Sequence, residues 1–204
     1  MELNDVIRRR RMVRRYHPDQ PVTEEDVEAL LRHAIRAPSA GFSQGWDFVV
    51  LSDPLQRQAF WGATTDPDEE PDSWLAGMQT APVLIVCLSD KQTYLGRYAE
   101  PDKGWADRDE ARWPVPYWDI DTGMAALLML LTAVDRGLGA LFFGVPAEHH
   151  HDVHEALGIP MDRSIVGVVA VGHPAPDTRS PSLKRGRRPL SAVAHRGRFG
   201  VPWE

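Results

Sequence analysis

The sequence predicts a single domain that mixes helices and strands, and three observations carry this. Short apolar runs at residues 46–51, 83–88, 140–143 and 165–171 have the length of strands, and segments with helical spacing separate them. One longer apolar run, from Ala125 to Val134, has the length of a buried helix. A chain of 204 residues, 43% of them hydrophobic, suffices for one well-buried core and hardly for two.

Taken in order, residues 2–11 read as a short helix with Leu3, Val6 and Ile7 on one side. His17-Pro18 breaks the pattern. The next helix is marked by Thr23 as its cap, Asp26 at capping-box spacing, and an apolar face of Val27, Leu30, Leu31, Ala34 and Ile35. It stops before Pro38, in a loop of small and hydroxyl residues that leads into the strand Trp46 to Leu51. A helix starting near Ser52 or Asp53 carries Leu55, Ala59 and Phe60, and an acidic irregular stretch follows from Gly62 to Ser73. Val83 to Leu88, nearly all apolar, reads as a central strand. Residues 89–116 set Tyr94, Tyr98, Trp105 and Trp113 among charges and glycines; they read either as a lid that stacks on a planar ligand or as a helical hairpin packed on the body. In the helix 119–136, Ile120, Met124, Leu127, Leu128, Leu131 and Val134 cover most of the circumference. That distribution predicts burial nearly all round, in the centre of the fold or at a subunit interface. A strand to Phe143, a helix from Ala147 to Leu157 and a last strand to Val171 complete the body. The proline-punctuated tail 173–204 reads as an arm laid over another surface.

The chain carries a net charge of -6, which argues against general nucleic-acid binding, and its apolar runs fall short of a bilayer span. The N terminus lacks the form of a secretory signal, because arginines interrupt it. The single cysteine, Cys87, excludes an intrachain disulfide and reads as a buried hydrophobe, so a reducing, cytoplasmic setting is expected. Against this acidic body, 12 of the 23 lysines and arginines fall in two places: Arg8, Arg9, Arg10, Arg11, Arg14 and Arg15 near the start, and Lys184, Arg185, Arg187, Arg188, Arg196 and Arg198 near the end. Paired guanidinium donors suit phosphate oxygens, so the runs read as a site for a small anion or as a solvated basic face, and charge alone leaves both open. His149, His150, His151 and His154 form a histidine cluster in which the i,i+4 pair His150 and His154 has zinc-ligand spacing. It lacks the intervening glutamate of the hydrolase arrangement, and the cluster reads as a solvated helix face with no metal. No phosphate-loop lysine is present, and Gly137-Leu138-Gly139 follows a helix, the wrong order for a dinucleotide fingerprint.

Six landmarks, in this order and spacing, cover almost the whole chain: Arg9 to Tyr16, Ala37 to Phe48, Ala81 to Val86, Gly137-Leu138-Gly139 through Gly144, Ala156 to Pro160, and Arg187-Arg188-Pro189-Leu190. Together they resemble the nitroreductase family of FMN-dependent oxidoreductases. The resemblance implies an α+β nitroreductase-like FMN-binding fold, with a central mostly antiparallel sheet flanked by helices and a C-terminal arm extending over the partner subunit. It implies a homodimer with two interfacial FMN sites. Arg10, Arg11 and Arg14, with Met12 at a position commonly serine, correspond to phosphate and ribityl contacts, and Arg187 with Arg185 or Arg188 to a further phosphate contact. Pro38, Ser39, Ala40 and Phe42 match the loop that reaches the flavin from the other subunit, with Phe42 where asparagine is common and Gly45 where proline is common. Ser73 falls near the pyrimidine side of the ring. Phe143 and Gly144 match the pair near flavin N5, although Phe143 supplies no acidic side chain. Under this resemblance NAD(P)H, or a deazaflavin in some relatives, reduces the flavin, which then reduces a nitroaromatic, quinone or similar electrophile in a ping-pong cycle. No side chain acts as nucleophile, and Tyr94, Tyr98, Trp105 and Trp113 are candidates for shaping the substrate side. The alternatives are a specialised flavin enzyme (a dehalogenase, a dehydrogenase or a flavin-fragmenting enzyme) and a non-catalytic flavin-binding protein.

Overall fold

The computed structural model describes residues 1–66, 68, 70–178 and 180–203. Its centre is a four-stranded antiparallel sheet in the order β1 (Trp46–Leu51), β2 (Val83–Ser89), β4 (Ser164–Gly172), β3 (Gly139–Phe143). Side chains alternate across a pleated strand, and both faces of this sheet are covered. Leu84, Val86, Leu88, Leu141, Val168 and Ala170 face α3 (Pro54–Thr64), α4 (Ser73–Met78) and α7 (His150–Leu157) through Phe60, Trp61, Met78 and Val153. Val83, Ile85, Cys87, Ala140, Val169 and Val171 face α2 (Glu24–Ala34) and α6 (Tyr117–Asp135) through Leu30, Ala34, Ala125, Met129 and Ala133. Every residue of β2 is buried, which explains its unbroken apolar sequence.

The helix starts follow local chemistry. Thr23 and Asp26 form the expected capping box, and Asp53 with Gln56 forms another before Pro54. Gly158 takes the left-handed conformation that ends α7. Two helices were not legible from periodicity, because each is short and opens on an aspartate cap instead of an apolar stripe. α4 is capped by Asp72, and α5 (Lys91–Tyr98) by Asp90. The excursion 89–116 forms α5, then a 3-10 turn at Glu110–Arg112, joined by Tyr98, Trp105 and Trp113 at centroid distances of 4.5 to 5.6 Å.

Within one chain α6 is buried on its sheet side, through Ala125, Met129 and Ala133, while Ile120 and Leu127 are 43% and 47% exposed on the opposite side, so burial all round is not reached in the centre of the fold. It is long and apolar enough to cross a membrane, yet half of that stretch is buried inside the fold. On α1 (Leu3–Arg9), only Val6 is buried, and Leu3 and Ile7 face outward; on α3, Leu55 is exposed and Trp61 takes the inward place beside Phe60. The segment 147–157 divides into a 3-10 turn, Ala147–His149, and α7. Beyond Pro174 the tail runs through exposed 3-10 turns at Pro181–Arg185 and Leu190–Ala192. It closes locally where Trp203 N–H donates to Ala194 and Arg196 N–H to Val201.

Candidate functional site

The first arginine run is fixed against the sheet edge. After α1, Met12 bridges to Ala140 and Val13 N–H donates to the Ala140 carbonyl at 3.0 Å, so the segment lies along edge strand β3. Tyr16 anchors its far end. Its ring is buried, its hydroxyl donates to the Val13 carbonyl at 2.7 Å, and its N–H donates to Thr80 Oγ1 at 2.9 Å. Burial pushes the Tyr16 hydroxyl pKa well above its ordinary value. The backbone of Arg14 presses on α4 so closely that a Cβ at Gly77 would lie 2.3 Å from the Arg14 carbonyl oxygen. Glycine at 77 is what lets α4 approach.

This approach brings Arg14, Arg15, Ser73 and Trp74 to one recess of about 620 Å³, closed on its outer side by Pro176, Asp177, Thr178, Ser180 and Pro181 of the tail. Arg15 thus stands beside Arg14. Arg10 is half-buried, and its Nη1 is fully enclosed without an acceptor. A buried guanidinium nitrogen is costly unless an acceptor reaches it, which makes Arg10 a candidate anion contact. Arg11 is exposed, Met12 is half-buried in the ladder to β3, and Arg185 and Arg187 stand exposed further along the tail, outside the recess lining.

The loop at Pro38, Ser39, Ala40 and Phe42 is held from below. Ala40 N–H donates to Asp121 Oδ2 at 2.8 Å, and Tyr94 donates its hydroxyl to the same oxygen at 2.7 Å. Asp121 is 2% exposed. Ser39 Oγ accepts from Gln44 N–H at 3.0 Å, and the Arg97 side chain donates to the Gly41 carbonyl at 3.0 Å. Pro38 is exposed, and Phe42 is 76% exposed with a positive φ of 57°, an uncommon conformation for a bulky residue. Tyr94 is therefore a buried support of this loop with no ring face open to a ligand. Tyr98, Trp105 and Trp113 remain half-buried in their aromatic cluster.

At the other end of β3, Gly144 is exposed, while the Phe143 ring turns inward and stacks on Trp61 at 5.9 Å and 7°. Gly144 lies four residues beyond Ala140, about 13 Å along a strand, so basic groups and an open backbone edge occupy opposite ends of one element. Trp74 separates the basic recess from a second cavity of about 550 Å³ at Gly144, lined by Phe60, Trp61, Trp74, Phe143, Asp66, Glu70 and Asp72 among others. His149 reaches that cavity, His150 Nε2 lies 3.0 Å from the Val145 carbonyl oxygen, and His154 is buried beside Val153. The cluster is thus not wholly a solvated face, because α7 turns His154 toward the core. Among the described residues no His, Cys, Asp or Glu cluster with metal-site geometry occurs.

The fold and site define an α+β protein with an edge-strand basic recess beside an aromatic cavity. Compared with known protein families, residues 7–173 match the Nitroreductase family, and the chain belongs to it. It is 30% identical over 171 residues to an Archaeoglobus fulgidus protein named for NADH dehydrogenase and NAD(P)H nitroreductase activity, covering 83% of each chain. It is also 30% identical over 208 residues to the 5,6-dimethylbenzimidazole synthase of Rhodospirillum rubrum, covering 94% of this chain and 92% of that one. Among solved structures, a nitroreductase-type protein from Desulfovibrio desulfuricans in complex with FMN superposes with a TM-score of 0.71 at 25% identity, covering 98% of each chain.

Proposed function

We propose that this protein is a homodimeric, cytoplasmic FMN-dependent oxidoreductase that takes reducing equivalents from NAD(P)H and delivers them to nitroaromatic, quinone or similar electrophilic small molecules in a ping-pong cycle. The observation that carries the reading is the enclosed Arg10 Nη1 without an acceptor, on the segment that also brings Arg14 to Ser73. A ligand with an anionic end and a planar end fits this strand, with the anion at Arg10 and Arg14 and the planar part toward Gly144. FMN, once bound, supplies the hydride-accepting and hydride-donating chemistry. The chain's own contribution is to hold the phosphate with paired guanidinium donors, to present Ser73 and the exposed Gly144 backbone to the ring, and to exclude water with Trp74. Arg185 and Arg187 then reach a phosphate only as the tail is placed in the dimer. The partner's flavin-facing loop is the one fixed through Asp121.

The exposed Ile120 and Leu127 on α6, together with Leu3 and Ile7 on α1, support a second copy packed on that side. Anaerobic mixing of the FMN-loaded protein with NADPH and with NADH tests the reaction. Bleaching of the flavin absorbance by either donor, reversed by a quinone, is expected; failure of both donors rejects a pyridine-nucleotide reductase. The likeness to the 5,6-dimethylbenzimidazole synthase favours the specialised-enzyme alternative, whose flavin-fragmenting form would consume FMN. Chromatographic counting of FMN before and after turnover separates the two, since a reductase returns all of it.

A further inference from the structure

We infer that Thr80 is a positioning residue of the anion site: its hydroxyl locks the segment that presents Arg14 onto α4, so that a phosphate monoester meets a guanidinium already in place. This deepens the proposed function and rests on its reading of Arg14 as a phosphate contact. The backbone around Arg14 is held at four successive points. The Val13 carbonyl accepts from the Tyr16 hydroxyl at 2.7 Å, the Arg14 carbonyl packs on Gly77, the Arg15 carbonyl accepts from Ala175 N–H at 3.0 Å, and Tyr16 N–H donates to Thr80 Oγ1 at 2.9 Å. The side chains are held far less. Arg14 Nη1 makes one long bond, 3.3 Å to the Met12 carbonyl, and among the described residues no carboxylate lies within ion-pair distance of Arg14 or Arg15. A fixed backbone beneath guanidinium groups that lack an internal counter-ion suits a preorganised anion site, because little is left to order when the ligand arrives.

Of the four holds, the one at Thr80 serves both walls of the recess. Its Oγ1 accepts from Tyr16 N–H and donates to the Gly77 carbonyl at 2.6 Å, so one hydroxyl joins the arginine segment to the C-terminal end of α4. Ser73 and Trp74, at the start of the same six-residue helix, line the recess with Arg14. Pinning the helix end therefore sets the distance from Arg14 to Ser73. Thr80 is not among the recess-lining residues, so it acts through Arg14 and α4 and not on the ligand. The position needs a group that accepts and donates at once, which a hydroxyl does and an isosteric valine does not.

The test is titration of FMN and of riboflavin, which lacks the phosphate, into the full chain and its variants by flavin fluorescence, with inorganic phosphate titrated calorimetrically in parallel. Thr80→Val is expected to weaken FMN about 5- to 10-fold and leave riboflavin unchanged, and Thr80→Ser to keep the wild-type FMN affinity. The double variant Arg14→Ala/Thr80→Val should lose less than the product of the two single losses, because both act on one contact. Thr23→Val, which removes the cap of α2, lowers stability and moves neither affinity. An equal loss for FMN and riboflavin, or single losses that multiply in full, marks Thr80 as a general support and overturns the inference. Should Thr80→Val fail to fold, the wild type still decides: its Tyr16 amide must exchange slowly before FMN is added, and protection that arises only on loading overturns the preorganised site. A chain that takes up no FMN but binds phosphate, more weakly in Thr80→Val, upholds the inference and removes the flavin reading. FMN bound equally by the wild type and Thr80→Val does the reverse, and a chain that takes up neither ligand overturns both.

Discussion

Replacing Tyr94 by phenylalanine removes one oxygen from the buried support of the Pro38–Phe42 loop and little else. The ring is fully buried and meets Trp113 and Trp118 edge-on, so phenylalanine keeps the packing. What is lost is the 2.7 Å bond to Asp121 Oδ2, on a carboxylate only 2% exposed and so poorly reached by bulk water. A buried hydrogen bond to a carboxylate is worth about 1.5–3 kcal/mol, and that is the expected fall in unfolding free energy. Urea denaturation should show a lower midpoint with an unchanged slope. Asp121→Ala should cost more, because it leaves both the Tyr94 hydroxyl and the Ala40 N–H without an acceptor, at about 1–3 kcal/mol each. The pH dependence carries a sign as well. Burial and the bond to Asp121 push the Tyr94 hydroxyl pKa far above its ordinary value, so the native state keeps the proton where the unfolded chain loses it. This contribution is full below about pH 10, the unfolded value, and is lost as pH rises above it. Tyr94→Phe should flatten that alkaline decline. A stability change under about 0.5 kcal/mol, with the alkaline slope unaltered, would refute the role given to this pair.

Two other outcomes follow from the same structure. Leu127→Glu places a charge in the middle of the exposed α6 face, and light scattering should show twice the 22.9 kDa chain mass for the wild type and the single-chain mass for the variant; a variant that remains dimeric removes α6 from the interface. Cys87 is fully buried and its thiol is pushed up to about 12 by burial, so iodoacetamide near pH 8 should label it only after denaturant is added. Prompt labelling of the native protein would contradict its place in β2.

The sheet was legible because its strands carry their signal in the chain itself: Val83 to Leu88 is apolar throughout, as a strand covered on both faces must be. α2 was legible from Thr23 and Asp26. α4 and α5 were not, since each is short, begins on a lone aspartate and owes its place to contacts distant in sequence, such as Gly77 against the Arg14 carbonyl. The aromatic cluster of Tyr98, Trp105 and Trp113 could be read only as a composition, because which rings meet is decided by tertiary packing. At the site, the basic segment and Gly144 came from ordered landmarks and Ser73 from the resemblance they carry, but the support beneath the Pro38–Phe42 loop did not. One sequence signal was available: Asp121 and Thr122 are polar residues within the most apolar helix, and a buried carboxylate requires donors. The acid-rimmed cavity was hidden for a different reason. Its walls come from α3, α4 and the end of β3, which only the fold brings together.

The most direct test of the flavin account is a titration of FMN into the purified chain and its Arg14→Ala variant, followed by quenching of flavin fluorescence. The account predicts saturable, equimolar uptake by the wild type. It predicts affinity about 10- to 100-fold weaker in Arg14→Ala, the loss expected for one charge-assisted phosphate contact. A wild-type chain that cannot be loaded with FMN, or an Arg14→Ala variant with undiminished affinity, would contradict the assignment of the edge-strand arginines to a flavin phosphate.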